Sequence, residues 1–362
     1  MAASSALIAM SGGVDSSVAA LLALSRGYDC AGGMMRLFSN EDVGEPGENT
    51  CCSLEDAEDA RAVANKLGIP FYVFNFAEIF NKEVVRPFVK AYQNGETPNP
   101  CIDCNRRLKF DRFLRRAKEL DKEYIVTGHY ARIEFDAGSD RYILKKGSDC
   151  LKDQSYVLYA MTQPQLKHTL FPLGGLSKTQ VREIAMEHGF INAKKQDSQD
   201  ICFVKNSGYA DFIRQHTGTE PEKGRFVGID GADLGGHMGI IHYTVGQRKG
   251  LGLSAPTPLY VRSICPESNT VVVGPEDSLY SKTLIAREIN LIPVAGITAS
   301  LKISARIRYN QREQPATVWQ LDDDTLRVEF DSPQRAITKG QAVVLYDGDS
   351  VIGGGTITTA KL

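Results

Sequence analysis

Apolar runs and amphipathic stretches alternate along the first two hundred residues. Residues 6–10 form a short continuous apolar run of the kind that makes a buried strand, and 16–24 follow with helical spacing and Gly27 just past their end. Residues 30–37 predict a second strand. Ser53 and Asp56 have capping-box spacing for a helix that stops near Gly68. Residues 71–74 predict a third strand, 77–92 and 106–120 two more helices, and 124–127 a strand running into Gly128 and His129. This βαβα order predicts an α/β fold, a parallel sheet covered by helices on both faces. Ligands of such sheets sit at the carboxyl ends of the strands, which directs attention to residues 11–17, 34–37 and 128–129.

The pattern changes near residue 208. Gly-rich turns and short segments continue to about 281 and predict a small adaptor domain. Apolar, β-prone runs then recur at 284–286, 301–309, 316–321, 326–330, 342–345 and 351–358, with turn residues between them. That spacing predicts a small antiparallel barrel. The expected domains are therefore 1–207, 208–282 and 283–362.

Composition narrows the possibilities. The 362 residues are 42% apolar, enough for a sizeable core, and the formal net charge is −2. A nucleic-acid partner would thus have to meet a local basic patch. No apolar run approaches the ~18 residues of a membrane span, and the start lacks a signal-peptide pattern. Eight cysteines in so long a chain are no dense disulfide framework. They fit a cytoplasmic protein with free, reactive or metal-binding thiols.

Between the first strand and the first helix stands Ser11-Gly12-Gly13-Val14-Asp15-Ser16-Ser17. Glycines let backbone N–H groups turn toward a phosphate, serines add donors, and a helix N-terminus adds a favourable dipole. Asp15 suits a phosphate site only with a cation beside it, such as Mg²⁺ bridging pyrophosphate oxygens. No lysine ends the loop. The bland reading is a polar strand-to-helix turn with a good cap.

Thr97-Pro98-Asn99-Pro100-Cys101-Ile102-Asp103-Cys104-Asn105 is the second motif. Its prolines fix an extended loop, and its C-x-x-C opens a helix with seven Lys/Arg against two Asp between 101 and 118. Cysteines there favour the thiolate, although the basic run also fits an ordinary solvated face. A third thiol, Cys202, lies between Ile201 and Phe203, a setting that also suits a core cysteine. Cys30, Cys150 and Cys265 have no partner pattern, and the adjacent Cys51 and Cys52 have no assigned role. One C-x-x-C supplies two of the four ligands of a structural zinc, so no zinc site is read.

The loop string resembles the PP-loop of the N-type ATP pyrophosphatases, within the adenine nucleotide alpha hydrolase-like fold, which split ATP into AMP and pyrophosphate. That resemblance implies that Ala9, Met10, Ser11, Gly12, Gly13, Val14, Asp15 and Ser16 hold ATP, that Met35 contacts adenine, and that Gly128 approaches the nucleotide. Over nearly its full length the chain resembles the bacterial tRNA-specific 2-thiouridylase family. The segments that carry this are SGGVDSS, TPNPCIDCNRRLKF, TGHYAR, LKDQSYVLY, KKQDSQDICF, HYTVGQRKGLG, RIRYNQ and KGQAVVLYDG. The family resemblance implies that Cys202 carries a persulfide and that Cys104 is its partner thiol. It implies that Asn99, Pro100 and Cys101 lie against the target base. It further implies that His129, Lys152, Asp153, Gln154, Arg308, Tyr309 and Gln341 contact tRNA. A cysteine desulfurase or sulfur-relay protein would supply the sulfur.

Some family members have Asp where this chain has Cys101. Cys101, Cys104 and Cys202 could instead hold a [4Fe–4S] cluster that carries sulfide. Two further readings compete: a PP-loop ligase that adenylates a small molecule, and a non-catalytic RNA-binding protein with an inherited nucleotide loop.

Overall fold

The computed structural model describes residues 4–38, 54–197, 201–204 and 208–361. The chain forms two compact units. One holds Met1–Val85, Cys101–Phe203 and Asp349–Val351; the other holds Arg86–Pro100, Val204–Gly348 and Ile352–Leu362.

The first unit begins with β1 (Ser5–Ala9), α1 (Val14–Ser25), β2 (Asp29–Arg36), α2 (Leu54–Leu67) and β3 (Phe71–Asn75). The chain then runs through α3 (Ala77–Phe80), a π-helical stretch Asn81–Val85 and α4 (Arg86–Gln93), the last already in the second unit. Next come α5 (Pro100–Asp103), a second π-helical stretch Cys104–Arg112, α6 (Phe113–Glu119) and β4 (Tyr124–Val126). A hairpin of β5 (Ala131–Asp136) and β6 (Arg141–Lys146) leads to α7 (Gln163–Lys167), β7 (Thr169–Leu170) and α8 (Lys178–Glu187). The five-stranded sheet has the order β3-β2-β1-β4-β7 and is parallel throughout. β1 is central, and Ala6, Leu7 and Ile8 are fully buried. A strand covered on both faces is apolar wherever it is buried, as this one is at residues 6–8. Each such large apolar side chain contributes about 1.5–3 kcal/mol relative to exposure. Val18, Ala19, Ala20 and Ala23 let α1 approach the sheet closely.

The strands and helices expected here are present within one or two residues. The wide turns at 81–85 and 104–112 leave no mark on apolar spacing. The β5–β6 hairpin was not anticipated. Its turn, Asp-Ala-Gly-Ser-Asp, is a hairpin signal, but both arms are largely half-exposed and their alternation is weak. Ser53 lies outside the described residues, so the expected cap of α2 does too; the helix itself stops at Leu67 as expected.

In the second unit α9 (Tyr209–Thr217) precedes β8 (Gly224–Gly228), β9 (Asp233–His237), β10 (Tyr260–Cys265) and β11 (Thr270–Gly274). These strands form a sheet of order β10-β11-β8-β9 around Phe226, Val261, Val271 and Val273. Then follow β12 (Tyr280–Leu291), β13 (Leu301–Arg306), β14 (Gln314–Asp322), β15 (Thr325–Arg335), β16 (Ala342–Asp347) and β17 (Ser350–Lys361). The order β12-β15-β14-β13-β16-β17, with β17 returning to β12, closes the antiparallel barrel. Leu284, Val318, Val328, Val343 and Leu345 fill it. Closure removes the sheet edges, which explains strands longer than their apolar cores.

Candidate active site

The loop after β1 is tightly determined. Gly12 has φ +78°, and a Cβ there would fall 2.4 Å from the Asp56 carbonyl oxygen, so only glycine fits. Ser16 Oγ donates to the Gly13 carbonyl at 2.9 Å and accepts from Ser11 N–H at 3.2 Å. Ser17 Oγ donates to the same carbonyl at 3.1 Å. Asn192 Nδ2 reaches both the Gly12 carbonyl and Ser17 Oγ at 2.9 Å. Gly13 is the cap of α1 and no side chain caps it, so the first-turn N–H groups face the loop without a capping partner. On the far side Gly128 packs against the loop backbone. A Cβ on it would lie 2.8 Å from the Asp15 carbonyl carbon and 2.9 Å from Ser16 N. Met35 is half-buried near the end of β2, while Met10 is buried beneath the loop.

Asp15 is the centre of a charged network. Its Oδ1 accepts from Tyr130 Oη at 2.7 Å and from Lys178 Nζ at 2.7 Å, and Lys178 Nζ also reaches Oδ2 at 2.8 Å. Burial and the Asp15 charge push the Tyr130 phenol far up, so it remains a neutral donor. Lys178 Nζ also lies 2.6 Å from Asp197, which pairs with Lys152 at 2.7 Å and Arg182 at 3.2 Å. Burial alone would raise the Asp197 carboxyl, but hydrogen bonds and charges of Lys152 and Lys178 hold it below the ordinary range. Tyr130, Lys178, Asp197 and Asn192 were not singled out in the sequence. Tyr130 stands inside TGHYAR and Asp197 inside KKQDSQDICF, but Lys178 gives no local signal. It is 163 residues from Asp15.

Asp15 suits Mg²⁺ as a donor. That ion needs one or two carboxylates besides phosphate oxygens. Asp15 Oδ2 accepts from Lys178 alone among the described residues, and a carboxylate oxygen has a second lone pair.

The cysteines lie in two segments of the first unit. Cys101 is exposed in α5, and Cys104 opens the π-helical stretch half-buried. Asn105 anchors that stretch by donating to the Val157 carbonyl at 3.0 Å. Cys202 is half-buried, beside Phe203, which meets Phe80 edge-on at 5.6 Å. Among the described residues no three His, Cys, Asp or Glu side chains are gathered as metal ligands, so the arrangement lends the cluster alternative no support. Cys30 is a core thiol, pushed up to about 11 by burial and then by Asp29. Cys51 and Cys52 lie outside the described residues. Of the basic run, Arg107, Arg112, Arg115 and Arg116 are paired with carboxylates, as a solvated face would be. Arg106, Lys109 and Lys118 form no ion pair among the described residues.

Several residues expected at tRNA are committed internally. His129 is 7% exposed, between Phe110 and Phe171, with Nδ1 2.6 Å from Thr127 Oγ1. Burial, then the Lys109 charge, holds it well below its ordinary range, so it is neutral. Asp153 accepts from the N–H groups of Gly147 and Ser155, and Gln154 Oε1 accepts from Tyr130 N–H at 3.0 Å. In the second unit Arg308 donates to the carbonyls of Val245 and Ala336 and to Thr338 Oγ1. Tyr309 is half-buried, and its carbonyl accepts from Arg306. Gln341 Nε2 donates to the Thr97 carbonyl at 2.7 Å, and Thr97 N–H donates to the Lys339 carbonyl at 2.9 Å. The turn before β16 thereby clasps the start of the loop carrying Asn99 and Pro100.

Comparison with known proteins agrees along the whole chain. The family described as the tRNA methyl transferase HUP domain matches residues 4–206, the tRNA methyl transferase PRC-barrel domain 210–275, and the aminomethyltransferase beta-barrel domain 281–357. The tRNA-specific 2-thiouridylase MnmA of Clostridioides difficile (strain 630) is 50% identical over 351 residues, 97% of each chain. That of Acetivibrio thermocellus is 50% identical over 352 residues, 97% of this chain and 98% of its own. Among solved structures, a 4-thiouridine synthetase–RNA complex with bound ATP matches 56% of this chain and 46% of its own, at 19% identity and TM-score 0.38.

Proposed function

Since the chain belongs to the MnmA family of tRNA-specific 2-thiouridylases, we propose that it uses ATP to replace the C2 oxygen of the wobble uridine in tRNA with sulfur. A uridine carbonyl is a poor electrophile and its oxygen a poor leaving group. Attack of the C2 oxygen on the α-phosphorus of ATP releases pyrophosphate and leaves AMP on that oxygen. The terminal sulfur of a Cys202 persulfide then attacks C2 and AMP departs. Cys104 thiolate attacks Cys202 Sγ, the S–S bond breaks, and its electron pair stays with the sulfur now on C2. The products are 2-thiouridine, AMP, pyrophosphate and a Cys104–Cys202 disulfide, which an external thiol must reduce before the next turn. Thiolate sulfur suits both attacks because it is strongly nucleophilic near neutral pH.

The observation that carries this reading is the loop at 11–17, whose buried serines and obligatory Gly12 leave backbone donors for phosphate. We assign ATP to Ala9, Met10, Ser11, Gly12, Gly13, Val14, Asp15 and Ser16, with Met35 at adenine and Gly128 close by. Mg²⁺ on Asp15 would neutralise charge on departing pyrophosphate. Asn99, Pro100 and Cys101 face the base, which is extruded most cheaply from a single-stranded loop. Residues 1–207 would do the chemistry, 208–282 adapt, and 283–362 grip the RNA, with a desulfurase or relay protein as donor.

The test is mass spectrometry of tRNA nucleosides after incubation with ATP, Mg²⁺ and a sulfane-sulfur donor (a cysteine desulfurase with cysteine), with the adenine nucleotides followed in parallel. We expect exchange of oxygen for sulfur together with AMP. Release of ADP, or a methyl group gained in place of sulfur, would overturn the proposal. Asp15→Ala should lower turnover by roughly 10²–10³-fold while leaving the fold intact.

A further inference from the structure

The GQRKG string at 246–250 opens a long segment between β9 and β10 to which no role has been given. Its stem is latched. Gly246 N–H donates to the Val261 carbonyl at 2.8 Å, Val261 N–H donates to the Gln247 carbonyl at 2.9 Å, and Gln247 Nε2 donates to the Lys249 carbonyl at 3.0 Å. Leu251 packs into the core of the four-stranded sheet. Beyond the stem, regular pairing stops. From Gly250 to Leu259 no backbone N–H or C=O is hydrogen-bonded within the protein among the described residues. Irregular segments of this length in compact domains are usually binding loops, and free backbone donors and acceptors are what a polar ligand needs. The segment lines a cavity of about 450 Å³, within the ~300–1,000 Å³ range of ligand pockets. Leu253, Leu259, Pro256 and Pro258 give it apolar walls, and Arg248 lines it too. Neither Arg248 nor Lys249 forms an ion pair among the described residues, whereas Arg225 of β8 does, with Asp233. Two uncompensated cations beside a partly apolar cavity fit an anion with a flat apolar body. A nucleotide is such a ligand: its phosphate suits Arg248, its base faces suit leucine and proline, and its base edges suit the free backbone groups. No Asp or Glu lines the cavity to hold the Mg²⁺ of a nucleoside triphosphate, so the charge matches a single phosphodiester of RNA.

We infer that the segment 248–259 takes one unstacked nucleotide of the RNA substrate, with its phosphate on Arg248 and Lys249 and its base against the leucines and prolines. The middle region then reads the substrate as well as adapting the two others. The cavity shares no residue with Asn99, Pro100 and Cys101, proposed for the target base. The inference rests on the tRNA reading of the chain.

The experiment is tRNA binding by fluorescence anisotropy across a salt series, on wild type, Arg248→Gln, Leu253→Ala and the control Arg225→Gln, with melting temperatures and ATP calorimetry alongside. Arg248→Gln should lower the salt slope by about 0.7, the share of one single-stranded phosphate, and weaken binding about 5-fold at about 0.1 M salt. Leu253→Ala, which removes an apolar wall, should weaken binding several-fold with the slope unchanged. Transfer RNA made abasic at one single-stranded position in turn should show one position, other than the target, whose loss weakens wild type but weakens Leu253→Ala little further. Arg225→Gln should bind as wild type. Lys249→Gln, and Ala255→Ile, which crowds the cavity, repeat the comparison if the first variants melt early. A lower slope in Arg248→Gln with full affinity in Leu253→Ala would leave a phosphate contact without a nucleotide pocket and overturn the inference, as would unchanged binding in both. A second ATP bound per chain, and lost in Leu253→Ala, would assign the cavity to a free nucleotide and overturn it too. Wild type that does not bind tRNA overturns the reading of the substrate as well.

Discussion

The phosphate loop and the cysteine segment are both short contiguous strings, yet they are held in opposite ways. In the loop, Ser16 and Ser17 are buried, Gly12 has no room for a side chain, and Asn192, Tyr130 and Lys178 brace it from distant positions. In the cysteine segment the bracing is at the margins. Asn105 anchors the helical side, Thr97 is clasped by Lys339 and Gln341, and Cys101 between them is exposed. An anion site gains from donors fixed in advance, because nothing need reorganise as charge develops. In the proposed role the thiols must meet a sulfur donor and then a base, which requires that they not be sealed in. The difference is between a rigid cradle and a supported, open strip.

Substitutions can break this contrast. The largest effect falls on the strip: Cys104→Ser and Cys202→Ser should each abolish 2-thiouridine formation while melting within a degree or two of wild type. Pyrophosphate release dependent on tRNA should survive in both, because adenylation of the base precedes any sulfur step. Cys101→Ser should only slow transfer. If iron-free protein is inactive and all three variants lose activity and iron together, a cluster carries the sulfur instead.

In the cradle the cost appears as stability as well as activity. Gly12→Ala forces a left-handed φ on alanine and drives Cβ into the α2 backbone. About 1–3 kcal/mol should be lost along with ATP affinity, read by urea unfolding and calorimetry. Wild-type stability in Gly12→Ala would mean that the loop is less constrained than the cradle description requires.

A smaller effect sharpens the description of the strip. Gln341→Ala removes one hydrogen bond, about 0.5–1.5 kcal/mol, from the start of the loop carrying Asn99 and Pro100. KM for tRNA should rise several-fold while ATP affinity stays unchanged. An equal fall in ATP affinity would show that Gln341 supports more than that loop.

The smallest effect concerns pH. His129 is neutral in the folded chain because burial depresses its pKa, whereas the unfolded chain binds a proton near pH 6.5. The unfolded state therefore holds more protons as pH falls below that value, and stability declines, by at most about 1.4 kcal/mol per pH unit. His129→Gln should flatten part of this slope between pH 7 and 5.5. Buried His237, depressed by its own desolvation, contributes to the same slope. Parallel unfolding curves for variant and wild type would remove His129 from the account.

The sequence disclosed what is local. The β1–α1 loop, the barrel strands and the C-x-x-C are read from spacing because each is set by neighbours a few residues away. The hairpin at 131–146 was legible only in its turn, since half-exposed arms carry little periodicity. What was hidden is long-range. Nothing near Lys178 shows that its ammonium meets Asp15, and nothing near Gln341 shows that its amide meets Thr97, 244 residues away. His129, Asp153, Gln154 and Arg308 show the converse. Their polar groups are spent on internal partners, which a motif cannot reveal.

The interleaving of the two units has a consequence for inheritance. The chain passes from one unit to the other after Val85, Pro100, Phe203, Gly348 and Val351. A single cut at residue 207 would strip the first unit of Asp349, whose carboxylate takes Arg132 at 2.7 Å and whose carbonyl takes Lys146 N–H at 2.8 Å. It would also leave residues 86–100 without the rest of their own unit. One recombination event could therefore not have exchanged either half intact. Either half made alone by a cut at 207 should therefore fold poorly, whereas the two halves expressed together should complement each other.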